Sequence, residues 1–159
     1  MAADDPFAPY ADRLAGRGMP TEPLRGYLTG SIDAVLRLTV DGDVRYVVVD
    51  YKTNRLAPPS EPVTAWHYRP AAMTAAMIDA HYPLQLLLYS VALHRFLRWR
   101  LPGYDPDRHL GGGLYLFVRG MVGPATPVAD GMPCGVMTWR PPTALVVELS
   151  ALIDAGGPR

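Results

Sequence analysis

Two runs rich in β-branched and apolar residues, 32–40 and 44–49, flank the dipeptide Asp41-Gly42. Asp-Gly between such runs signals a hairpin, because a type I′ turn needs positive φ at both central residues. The pattern predicts strands over residues 28–40 and 44–52. Apolar positions fall on both faces, with Val35, Val44 and Val48 on one and Leu36, Leu38, Val47 and Val49 on the other. Both faces are therefore expected to be covered, as in a layered α/β domain. Downstream, residues 68–80 predict a helix whose alanines and methionines allow close approach to a sheet. Pro83 suits the first turn of a longer helix reaching Arg100, apolar nearly all round as a buried helix is. Residues 111–121 and 136–140 read as strands, 122–135 as a Pro/Gly-rich loop and 142–153 as a closing helix. Residues 1–26 read as irregular apart from a short helical turn over 9–14. Residues 55–66 read as a mobile connection and 155–159 as a frayed tail.

Composition narrows the class. A chain of 159 residues that is 49% hydrophobic suits one packed domain. A single cysteine, Cys134, excludes an internal disulfide and any cysteine-cluster metal site within the chain. No signal-peptide pattern opens the sequence and no run of about 18 apolar residues occurs, which favours a cytoplasmic protein with no membrane partner. The formal net charge is zero, which argues against strong nonspecific DNA binding by the chain alone. Fifteen residues are Lys or Arg, and only Lys52 is a lysine. An ammonium is a compact charge that can lose its proton when desolvated, whereas guanidinium is broad and always charged.

Lys52 closes the run Asp50-Tyr51-Lys52 at the end of the second strand. With a two-residue loop at Asp41-Gly42, counting seven residues outward from each side places Asp33 opposite Asp50. Side chains alternate along a strand, so Lys52 then shares a face with both carboxylates. A three-residue loop over 41–43 would instead place Asp33 opposite Tyr51. Facing carboxylates repel at about 5 Å, and a bound cation relieves this; Mg²⁺ takes one or two carboxylates and keeps water and phosphate in its other positions. A nearby lysine can orient or deprotonate water, or neutralise transition-state charge. The chemistry indicated is metal-assisted phosphodiester hydrolysis.

The run 30–33 (Gly-Ser-Ile-Asp), the run 50–54 (Asp-Tyr-Lys-Thr-Asn) and the downstream pair Gln85 and Tyr89 resemble the motifs of the restriction-endonuclease-like PD-(D/E)XK superfamily, in particular its RecB-type nuclease domains. The resemblance extends over about residues 7–153. It implies a central mixed sheet with an antiparallel catalytic hairpin flanked by helices, metal ligation by Asp33 and Asp50, and a catalytic role for Lys52. It assigns Gln85 and Tyr89 to the Q-x-x-x-Y motif; independently, residues four apart share a helix face. It further implies Mg²⁺ as cofactor, with Mn²⁺ as a substitute, and DNA as substrate, a single strand fed by a helicase. RecC- and RecD-like subunits, and a recombinase, would be the partners, and the process would be break repair and recombination. The superfamily also supplies a histidine and an acidic residue from an upstream helix. The first histidine here is His67, so residues 1–159 read as one nuclease domain in an N-terminally truncated fragment of a larger subunit. The competing reading is a catalytically incomplete, nuclease-shaped module that docks partners.

Other features carry blander readings. Trp66, Trp99 and Trp139 are too far apart to suggest a stacking platform and read as core or rim packing. His94, Arg95, Arg98, Arg100, Arg108 and His109 form a basic cluster read as complementing a helix C-terminus, with phosphate contact the lesser reading. His67, His81, His94 and His109 lack the close pairing of a zinc site. The triplet Gly111-Gly112-Gly113 is followed by no Lys-Ser/Thr and is not a phosphate loop.

Overall fold

The computed structural model describes residues 5–16 and 29–155. Its elements are α1 (Ala8–Gly16), β1 (Ala34–Val40), β2 (Asp43–Lys52), α2 (Pro70–Asp79), α3 (Tyr82–Arg100), α4 (Pro106–His109), β3 (Leu110–Phe117), β4 (Val128–Ala129), β5 (Met132–Pro133), β6 (Val136–Trp139) and α5 (Thr143–Ala155). The main sheet is mixed, in the order β1-β2-β3-β6, with β1–β2 and β3–β6 antiparallel and β2–β3 parallel. β4 and β5 form a separate small hairpin inside the stretch read as a loop.

Asp41 and Gly42 have φ of 52° and 84°, so the short polar Asp and the Cβ-free Gly occupy the positive-φ positions that this hairpin turn demands. Pairing runs from Val40↔Asp43 to Ala34↔Val49, the register of the two-residue loop rather than the three-residue one. Between Tyr46 and Val48 the partner on β3 moves from Leu110 to Gly113, so β3 carries one extra residue, accommodated with Gly112 at φ 83°. A Cβ on Gly113 would lie 2.4 Å from Leu86 Cδ1. The absence of that side chain lets α3 rest directly on the sheet.

The face beneath α3 is closed. Val48, Tyr115, Phe117, Met137 and Trp139 are buried there with Leu86, Val91 and Leu97 of α3 and with Met73 and Met77 of α2. The N-terminal segment joins the same core through Phe7, just before α1, whose ring meets Trp139 edge-on at 5.0 Å, and through Tyr10 of α1, whose hydroxyl is 2.9 Å from His81 Nδ1. The opposite face is different. Leu36 and Leu38 are exposed, Val47, Leu114 and Leu116 are half-buried, and only Val49 is buried. This corrects the expectation of a hairpin covered on both faces: β1 is an edge strand, and six of its seven residues are exposed.

The connection expected to be mobile is internally tied, since the Arg55 guanidinium donates to the carbonyls of Ala57, Pro58 and Glu61. Trp139 is core and Trp66 exposed, whereas Trp99, at 75% exposure, has neither a core nor a rim setting. The basic cluster also disperses. Arg95 bonds Ser150 and Asp154, Arg108 pairs with Asp43, and His94 is buried against Tyr104. Cys134 is buried and free. Among the described residues no helix is long and apolar enough to cross a membrane. The expectations for residues 1–4, 17–28 and 156–159 lie outside the described residues.

Candidate active site

The hairpin register brings the two aspartates to the same end of the β1–β2 ladder. Asp33, one residue before β1, accepts a 2.9 Å hydrogen bond from the Tyr51 backbone N–H, so its carboxylate lies across the ladder beside Asp50. The two differ in setting: Asp33 is exposed, and Asp50 is buried under α3.

Lys52 follows Asp50 on the closed face, and its Nζ lies 2.6 Å from Asp50 Oδ2. That approach is an ion pair without hydrogen-bond alignment, and Oδ2 has no hydrogen-bond partner among the described residues. Lys52 Nζ donates to Gln85 Oε1 at 3.0 Å, and Gln85 Nε2 donates to the Tyr89 hydroxyl at 3.1 Å. The i, i+4 spacing on α3 thus works as the sequence indicated, with both polar tips reaching one site. All five expected residues, Asp33, Asp50, Lys52, Gln85 and Tyr89, border one patch at the end of β2.

Two tyrosines complete the lysine's surroundings and were not singled out from the sequence. Lys52 Nζ stands 3.7 Å from the Tyr82 ring centroid and 5.3 Å from that of Tyr115, and the two rings stack at 5.9 Å with planes 13° apart. Aromatic faces attract a desolvated ammonium. Tyr115 donates to the Tyr82 carbonyl at 2.9 Å. Burial first, and then the nearby Asp50 charge, pushes the Tyr115 phenol far above its ordinary value, so it remains a neutral donor. Tyr82 also donates to Asn54 Oδ1 at 3.2 Å, which ties the end of the motif to α3. The signal that could have found Tyr82 is its place three residues before Gln85, one turn away on the same helix.

The donor set suits a hard divalent ion. Two carboxylates converge, one solvated and one buried beside the lysine, and oxygen ligands are what Mg²⁺ and Mn²⁺ accept. Among the described residues no group of three His, Cys, Asp or Glu side chains gathers here or elsewhere. Among the described residues, the carboxylates at this patch are those of Asp33 and Asp50.

Comparison with known proteins agrees with this geometry. Residues 2–135 match the family model of the PD-(D/E)XK nuclease superfamily. The chain is 60% identical over 156 residues to the RecBCD enzyme subunit RecB of Mycobacterium tuberculosis, covering 98% of this chain and 14% of that protein. It is 56% identical over 158 residues to the RecB subunit of Mycolicibacterium smegmatis, covering 99% of this chain and 14% of that protein. To the RecB subunit of Escherichia coli it is 42% identical over 131 residues, covering 82% of this chain and 10% of that protein. The chain thus spans about one seventh or less of the length of these relatives. With a mixed sheet, the hairpin that carries both aspartates and a family match over most of its length, the chain belongs to the PD-(D/E)XK nuclease superfamily.

Proposed function

We propose that this chain is the metal-dependent DNA nuclease domain of a RecBCD-type helicase-nuclease, hydrolysing phosphodiesters of a single strand delivered by helicase action. Asp33 and Asp50 would hold Mg²⁺, or Mn²⁺ in its place, and the bound ion would supply positive charge to a phosphate oxygen. Lys52 is held by Asp50 on one side and Gln85 on the other, with the Tyr82 ring beneath. From there its ammonium can orient the attacking water or offset charge developing on phosphate. Tyr89 fixes the Gln85 amide so that the carbonyl, rather than the NH₂, faces the lysine. The single observation carrying this reading is the buried Asp50–Lys52 pair, set against Gln85 and Tyr82 with Asp33 across the ladder.

The wider setting is part of the proposal. Residues 1–159 act as one nuclease domain within a larger subunit, working in the cytoplasm with RecC- and RecD-like subunits on double-strand breaks and in recombination. Relatives named as RecB subunits of RecBCD enzymes support this. A second reading, a docking module for partner subunits or a recombinase, is favoured by the half-open sheet face and by a metal shell of two carboxylates among the described residues. Calorimetric titration with Mn²⁺ and cleavage of a labelled single strand in Mg²⁺ separate the two. The nuclease reading expects weak Mn²⁺ binding that is lost in Asp50→Ala, and cleavage that is lost in Lys52→Ala. Equal Mn²⁺ binding by Asp50→Ala would falsify it.

A further inference from the structure

The helix that supplies Gln85 and Tyr89 continues for three more turns beyond them. At 100° per residue, Gln85, Tyr89, Ala92, Phe96 and Trp99 fall within one narrow stripe of α3. Burial follows that stripe: Gln85 and Tyr89 are half-buried at the site, Ala92 is exposed, and Phe96 and Trp99 are exposed at 54% and 75%. The buried positions Leu86, Ser90, Leu93, His94 and Leu97 lie on the far side of the helix.

Two large aromatic faces left in water at the end of a helix cost solvation and add nothing to the core. Their electrostatic setting is one-sided. α3 contains no Asp or Glu, while its last turn carries Arg98 and Arg100. The Arg100 guanidinium lies 4.8 Å from the Trp99 ring centroid, so cation and π-face are presented together. Arg95, on the flank of the stripe, is held by Ser150 and Asp154 and leaves the aromatic surface uncovered.

We propose that this stripe is a single-strand binding track, on which nucleotides about five to six positions from the cleaved bond stack against Phe96 and Trp99 while Arg100 meets their phosphates. The proposal rests on the nuclease reading and extends it, because the track starts at the two residues that border the site. Stacking on exposed aromatics is tolerant of sequence and strengthens binding about fivefold or more per base. That suits a chain whose net charge of zero provides little long-range attraction. From Gln85 to Trp99 the helix rises about 21 Å, the length of roughly six stacked nucleotides.

The test uses the full chain in EDTA, with fluorescence anisotropy of labelled oligothymidylates of about three and about twelve nucleotides, lengths set below and above that span. The variant combining Phe96→Ala and Trp99→Ala should bind the long oligonucleotide about tenfold or more weakly and the short one unchanged. Trp99→Tyr should retain most of the affinity. Both side chains are exposed, so an unchanged thermal melt verifies that the double variant folds. Wild-type affinity of the double variant for the long strand overturns the track, including when sedimentation shows that the variant has lost self-association and the stripe is a contact between copies. Absence of measurable binding by the wild-type chain overturns it too. Lys52→Ala keeps the two readings apart: cleavage lost with long-strand binding intact supports both, whereas cleavage retained removes the nuclease reading and leaves the binding result to decide the track.

Discussion

Leu116 and Phe117 are neighbours on β3, yet Phe117 is fully buried under the helices and Leu116 is half-buried on the opposite face. The same contrast runs through the interior strands, from Val48 and Tyr115 on one side to Val47 and Leu114 on the other. Every charged or polar group that borders the candidate site from the sheet belongs to the closed side or its rim. A buried ion pair needs a low-dielectric wall and supporting hydrogen bonds, and only the face beneath α3 provides them.

Five substitutions would break or sharpen this contrast. The largest expected effect is on chemistry: Lys52→Ala should reduce single-strand cleavage by at least about a hundredfold in a quenched-flow or gel assay. On stability, Phe117→Ala should cost about 3–5 kcal/mol in urea unfolding. Leu116→Ala one residue away should cost clearly less, and equal losses would mean that both faces are packed alike. Gly113→Ala should cost about 1–3 kcal/mol, because the new methyl meets Leu86 Cδ1 at 2.4 Å. Leu38→Thr on the open face should stay within about 0.5 kcal/mol by the same measurement.

A smaller pH effect belongs to the closed side of α3. Burial, and then the charges of Arg98 and Arg95, lowers the pKa of His94 below its ordinary 6.5. A depressed folded value means that the unfolded chain binds the proton more readily. His94 therefore contributes stability above about pH 6.5, and that contribution is lost as pH falls through the folded value. The urea midpoint should drop on acidification below pH 6.5, with a shallower drop in His94→Gln. Identical slopes would remove His94 as the cause.

The hairpin was legible because its information is local: Asp41-Gly42 fixed the turn, the turn fixed the register, and the register brought Asp33 to Asp50. Gln85 and Tyr89 were singled out by their resemblance to the Q-x-x-x-Y motif, and their four-residue spacing on a helix lets both polar tips reach one site. Coverage of the sheet was not. β1 and β2 have similar apolar content, and only the strand order, set by pairing with the distant β3, makes one an edge and the other interior. The Tyr82–Tyr115 ring pair was invisible for the same reason, since its members lie 33 residues apart. Trp99 was misread because packing is the usual fate of tryptophan. Its exposure depends on where α3 ends relative to the core.

β2 and β3 run parallel, so the chain must pass through α2, α3 and α4 before Tyr115 can settle beside Asp50. The hairpin closes through nearby contacts, whereas the lysine's hydrogen bond to Gln85 and its aromatic neighbours arrive only with that crossover. The two acids and the Asp50–Lys52 pair can therefore form from local contacts before Gln85, Tyr82 and Tyr115 reach the lysine. On the nuclease proposal, cleavage would then depend on the complete fold, because strand direction places the crossover between the acids and the groups that surround the amine.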